Sequence, residues 1–155
     1  WYCLDFWQKE LDVDLMSIKR EVIAKIQFRP STEAFLKSLK GIGKRVSLIS
    51  NSHRLGIDLK FDHLKLHGYF DLIRSSHDYG YPKEQQGFWR HLSQDIGFDI
   101  HRTVFIDDNI DVLKSAQAYG IKYLLSIKQP DLFRAPVPYQ GFKQVDDFSE
   151  ILGNI

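Results

Sequence analysis

The stretch TVFIDDNIDVLKSAQAYG, residues 103–120, constrains the fold of this chain more than any other. Val104, Phe105 and Ile106 form a short apolar run, and Asp107 and Asp108 follow at once. Apolar residues return at helical spacing at Ile110, Val112, Leu113, Ala116 and Ala118, before Gly120. This is the pattern of a buried strand, an acidic turn and an amphipathic helix closed by glycine. Adjacent carboxylates at the carboxyl end of a strand stand where open α/β sheets bind ligands. Mg²⁺ takes oxygen ligands from such a pair and leaves room for a phosphate. An aspartate at this point can instead cap the following helix. The residues alone leave both roles open, one for each Asp if need be.

The rest of the chain repeats the strand–helix theme. WYCLDFWQKEL (1–11) sets Trp1, Leu4 and Leu11 on one helical face, with Phe6 and Trp7 beside them, and a second helix is expected over 15–26. These aromatics read as packing residues. Pro30 marks a boundary, after which Ser31 or Thr32 is expected to cap a helix to Leu39 that buries Ala34, Phe35, Leu36 and Leu39, with Gly41 as its stop. Strands are expected at 46–49, 72–74, 104–106 and 121–126, with helices from about 52 to 65, 84 to 97 and 110 to 119. A Pro-rich irregular tail covers 128–141, and a closing helix is expected over 145–152. Strands alternating with helices predict an α/β fold, a parallel sheet with helices on both faces. Right-handed crossovers place every strand's carboxyl end on one rim.

Composition narrows the function classes. The 155 residues suit about one domain with a real core, and a formal net charge of +1 with interspersed signs predicts no nucleic-acid partner. No apolar stretch approaches membrane-span length, so no membrane partner is expected. Cys3 is the one cysteine, which excludes an internal disulfide framework and makes a reducing cytoplasm the expected compartment.

On the predicted rim fall Ser50 and Asn51 after one strand, Lys83 in the next loop, and Asp107 and Asp108 after the third strand. Ser50 alone reads as well as a helix cap, and Lys83 alone as a solvated lysine. Together they make a phosphoryl-handling set. The Ser50 hydroxyl and Asn51 N–H cradle a phosphate, Lys83 adds a point charge, and the acidic pair holds Mg²⁺. Phosphoryl transfer is mostly positioning and electrostatics, so only a nucleophile is lacking.

LISNS (48–52), YPKEQQGFW (81–89) and VFIDDNIDVLKSAQAYGI (104–121) resemble, in order and spacing, the second, third and fourth motifs of the haloacid dehalogenase superfamily of phosphatases. The resemblance spans residues 30–126. WYCLDFW, SSHDYGYPKE and FIDD with its AQAYGI helix end resemble more closely one branch, the bacterial GMP/IMP nucleotidases. It implies a Rossmann-like parallel sheet over 28–155 and, in 1–27, the end of a small helical cap. It also implies phosphoryl binding by Ser50 and Asn51, phosphate steadying by Lys83, and Mg²⁺ on Asp107 with Asp108 beside it. Asp111 is a weaker member of the acidic cluster. The substrate implied is a purine nucleoside monophosphate.

The first motif of that superfamily, DxDx[TV], carries the nucleophilic aspartate on the central strand. Asp12-Val13-Asp14, with Ser17 beyond, imitates it, but no apolar strand precedes it and the resemblance puts it in the cap. The expectation is a chain without its first motif and central strand, short by about sixty residues at the amino end. Such a chain is expected to be inactive alone and to self-associate through exposed strands. A receiver domain carries similar groups, but with the acidic pair after its first strand and the lysine last, and the order here argues against it. Two other readings stay in play. A non-catalytic phosphate-binding module lacks a nucleophile by nature, and a sugar-phosphate or phosphoglycolate phosphatase would differ in its cap.

Overall fold

The computed structural model describes residues 3–139 and 141–152. Trp1 and Tyr2, expected to belong to the first helix, lie outside the described residues. The chain forms two compact units, Trp1–Gly80 and Tyr81–Ile155.

In the first unit, α1 (Leu4–Leu11) and α2 (Leu15–Glu21) are joined by a turn at Asp12. Asp14 caps α2, accepting from the N–H groups of Met16 and Ser17 at 2.9 and 3.1 Å. Leu4 is buried, but Phe6 and Leu11 are half-exposed, so the predicted apolar face of α1 is only partly covered. Phe6 meets Trp7 edge to face. A Cβ at Gly56 would lie 3.1 Å from Lys19 Nζ, so α2 runs close to the helix that carries Gly56. The second predicted helix stops at Glu21, and a 3₁₀ turn, Ile23–Lys25, replaces its last part.

After Pro30 comes α3 (Thr32–Gly41), which buries Phe35 and Leu36 but leaves Ala34 exposed. Ser31 stands at its N-cap position with φ +60°, and its hydroxyl makes no capping bond, contrary to expectation. Then come β1 (Ser47–Ser50), α4 (Arg54–Leu64) and β2 (Leu72–Ser75). β1 and β2 pair in parallel, Ser47 opposite Leu72 and Ser50 opposite Ser75.

In the second unit, α5 (Gln86–Ile96), β3 (Val104–Asp107), α6 (Ile110–Tyr119) and β4 (Tyr123–Ile127) follow in turn. Trp89 is the centre of the core, 1% exposed. It meets Phe88 and Phe105 edge to face at 5.1 and 5.0 Å, and its Nε1–H donates to Ser115 Oγ at 2.9 Å. Gly120 ends α6 with φ +107°, the left-handed conformation that glycine adopts at least cost.

The closing segment differs from the sequence reading. Val145 is not helical: it ends β5 (Lys143–Val145), which pairs in parallel with β4, Leu125 opposite Lys143, and only α7 (Ser149–Leu152) is helix. Gln144 and Val145 alternate between half-buried and buried, so strand pairing outweighs the weak helical pattern. The sheets are thus β1–β2 and β3–β4–β5, all parallel, the α/β architecture expected. Among the described residues, β1 and β3 each pair along one edge only. No helix among them is long and apolar enough to cross a membrane.

Candidate active site

In the second unit the apolar run of β3 carries Asp107 to the strand's carboxyl end, opposite Ser126 of β4. The loop before α5 brings Lys83 to the same place. Lys83 Nζ donates to Asp107 Oδ2 at 2.5 Å, with the two side chains 10% and 7% exposed. A solvated surface lysine is thereby excluded. The Lys83 ammonium also lies 5.8 Å from the Phe105 ring centroid, on its electron-rich face. Two charges withdrawn from water this far are held only by their mutual attraction and further hydrogen bonds.

Asp107 Oδ1 accepts from the Asn109 N–H at 2.9 Å, and Asn109 caps α6, accepting from the N–H groups of Asp111 and Val112. The cap is therefore neither aspartate of the pair, and a single asparagine relieves both of that duty. Asp108 is an exposed residue, yet partial loss of solvent around its carboxyl, followed by the negative charge of Asp107, pushes its pKa above the ordinary aspartate value. Asp111 is 71% exposed and lies 3.8 Å from Lys114, so it stands apart from the buried pair.

Two residues close to Lys83 in sequence, which the sequence reading did not single out, fasten the start of α5. The Tyr81 ring lies against the first turn of α5, where a Cβ at Gly87 would come within 2.6 Å of it, and stacks on His91 at 5.4 Å. Gln86 Nε2 donates to the Ser115 carbonyl at 2.8 Å, tying the same turn to α6. The string YPKEQQG held the signal: a glycine inside a helix often marks a close approach.

Ser50 and Asn51 belong to the first unit. Ser50 is not a helix cap: its Oγ accepts from the Ser52 N–H at 3.0 Å, and His53 occupies the N-cap position of α4. The helix thus begins at Arg54, further on than a cradle formed directly at its amino-terminus would need. Asn51 is buried, 7% exposed. The turn is clamped from β2 by Ser75, fully buried, whose Oγ donates to the Ser52 carbonyl at 2.7 Å. Asp78 accepts from Arg54 at 2.6 Å and from the Ser75 N–H at 2.8 Å. The signal for this clamp was the echo of SNSH (50–53) in SSHD (75–78), two strand ends with like chemistry.

Asp12 and Asp14 sit in the exposed turn between two helices, Asp14 as a cap, so no strand presents either carboxylate. Among the described residues no three His, Cys, Asp or Glu side chains cluster to hold a metal. Asp107 and Asp108 still fit Mg²⁺, which uses one or two carboxylates and completes its shell with water and phosphate oxygens. Loss of solvent raises the Asp108 pKa most and the Asp107 charge adds to the rise, and that second contribution is one a cation would offset.

The haloacid dehalogenase-like hydrolase family profile matches residues 7–126. The GMP/IMP nucleotidase YrfG of Escherichia coli is 34% identical over all 155 residues, which cover 70% of its length. A phosphatase of the same superfamily from Thermococcus onnurineus superposes with TM-score 0.82 at 17% identity, over 99% of this chain and 71% of its own. The hydrolase YfnB of Bacillus subtilis, solved bound to magnesium, gives 0.69 at 18% identity, over 83% of this chain and 56% of its own.

Proposed function

The chain belongs to the haloacid dehalogenase-like hydrolases, and on that premise we propose that it carries the phosphate- and metal-handling part of a purine 5′-nucleotidase acting on GMP and IMP. The buried Lys83–Asp107 pair, with Asp108 next in sequence, carries the reading. A charged pair so far from water contributes little to stability relative to an apolar pair of like size, whereas a phosphoryl group needs both charges. The likeness to a GMP/IMP nucleotidase supports the substrate.

In this reading Ser50 Oγ and the Asn51 N–H hold phosphoryl oxygens. Lys83 steadies the phosphate and the attacking carboxylate, and Asp107 with Asp108 holds Mg²⁺. When bound, Mg²⁺ offsets the negative charge of the phosphate. An aspartate attacks phosphorus and the nucleoside leaves with the bridging oxygen. Water then cleaves the phospho-aspartyl mixed anhydride, releasing inorganic phosphate and freeing the carboxylate. Asp12 and Asp14 do not serve as that nucleophile, so the 155-residue chain by itself does not turn over. Residues 3–27 act as part of a cap over the substrate.

Asp107→Asn in the complete enzyme abolishes Mg²⁺-dependent turnover, while Asp111→Asn is milder. Near-normal kcat in the Asp107 variant refutes the assignment. A panel of GMP, IMP, AMP and sugar phosphates tests the substrate class: the highest kcat/KM on a sugar phosphate leaves only the family. Assay of the 155-residue chain alone with Mg²⁺ and GMP tests the nucleophile, since turnover abolished by Asp12→Asn would make Asp12 the attacking group.

A further inference from the structure

Three residues beyond Ser50, and therefore within about 11 Å of it along the chain, His53 makes a contact that the phosphate chemistry does not use. The Leu55 N–H donates to His53 Nδ1 at 3.4 Å, so that nitrogen presents its lone pair and the ring proton sits on Nε2. Nε2 in turn faces Asp5 Oδ2 of α1 at 3.4 Å. His77 braces the imidazole edge to face at 5.2 Å. The His53 side chain is 17% exposed and that of Asp5 72%. As a surface pair it would be worth little to stability. Its place is what distinguishes it: an open carboxylate with one oxygen facing the imidazole that stands at the N-cap of α4, just after the turn assigned to the phosphate.

We infer that Asp5, oriented by His53, reads the N1–H edge of a 6-oxopurine base in the substrate. This rests on the nucleotidase reading and adds its means of discrimination. Guanine and hypoxanthine both present a donor at N1, and guanine adds its 2-amino donor alongside. Adenine presents a lone pair at N1. A carboxylate only accepts hydrogen bonds, so it pairs with the first two bases and meets adenine lone pair to lone pair. The imidazole faces only Oδ2, so the other carboxylate oxygen stays open to accept from the base. The recognising group comes from α1 and the phosphate turn from β1, so a substrate joins the two elements through both of its ends.

The test uses the complete enzyme with GMP, IMP, AMP and ribose 5-phosphate. Asp5→Ala lowers the ratio of kcat/KM for GMP to that for ribose 5-phosphate by about 10- to 100-fold, the range for losing one hydrogen bond to a charged group. Asp5→Asn, whose amide can also donate, narrows the preference for GMP over AMP. His53→Asn keeps the helix cap, because Asn is a good N-cap, but gives up the contact with Asp5. It raises KM for GMP more than it lowers kcat. Melting temperatures of all three variants separate these effects from loss of fold. Wild-type turnover of GMP and IMP with discrimination unaltered in both Asp5 variants overturns this inference alone. Absence of wild-type turnover on both nucleotides overturns it together with the nucleotidase reading.

Discussion

Both units put polar groups at the carboxyl end of a parallel strand, but they support them differently. In the first, every residue of β1 is half-buried, and the turn after it is built from hydroxyls and backbone groups. In the second, Asp107 is buried at the end of β3 against Lys83, beside a core of Trp89, Phe88 and Leu113, each 1% exposed or less. Neutral groups keep their hydrogen bonds whether or not water reaches them, so a loosely covered strand suffices to present them. A buried carboxylate and ammonium gain from each other only in one narrow geometry, which packed aromatics and a cap provide. Polar presentation is thus cheap in the first unit and demanding in the second.

The comparison breaks most visibly at the ion pair. Lys83→Ala leaves the Asp107 carboxylate buried without its partner and costs about 3–5 kcal/mol in urea unfolding. Replacing both partners together, Lys83→Met with Asp107→Leu, recovers most of that loss. If the double variant is as unstable as the single one, the charges were not what the packing supported.

Gly87→Ala is the next largest effect. The new Cβ drives into the Tyr81 ring and costs about 1–3 kcal/mol. Adding Tyr81→Ala relieves the clash, so the double variant loses less than the two single losses summed. Strict additivity in thermal melts would show that the ring and the glycine do not meet.

The first unit predicts smaller numbers. Ser75→Ala removes the donor to the Ser52 carbonyl and costs about 1–2 kcal/mol. A cost above that of Lys83→Ala would invert the comparison.

The smallest effect is electrostatic and sharpens the second unit. Because the folded chain holds the Asp108 proton more tightly than the unfolded chain, ionising it opposes folding. That penalty is absent below the ordinary aspartate value of 3.8 and sets in as pH rises through the raised folded value. Asp108→Asn therefore stabilises the metal-free chain slightly at neutral pH and not at pH 3. Parallel unfolding curves measured in chelator across that range check the sign.

The strand–turn–helix pattern of 103–120 was legible from residue types alone, and so was the alternation of strands and helices, because apolar period and glycine punctuation are local properties. The left-handed Gly120 and the burial of Val112, Leu113 and Ala116 follow from it directly. Ala118 lies on the same period but is exposed, since period names a stripe and not its width. β5 was illegible: Lys143, Gln144 and Val145 offer one buried apolar side chain, and their strand exists only because β4 presents an edge to pair with.

The candidate site divides along the same line. Sequence alone determined which groups stand at which strand ends: Ser50 closing β1 with Asn51 next, Asp107 closing β3 with Asp108 next, Lys83 in the loop before α5. Short-range chemistry suffices for that, because a strand's end and the identity of its next residue are both local. Only tertiary structure decided that Asn109, rather than either aspartate, caps α6, that Ser75 reaches across from β2 to the Ser52 carbonyl, and that Lys83 is buried on Asp107. Those outcomes depend on distances between residues 23 and 24 positions apart in two of the three cases, and on which acceptor wins a contested N–H in the third. A sequence pattern lists the donors and acceptors; the folded backbone chooses the pairs.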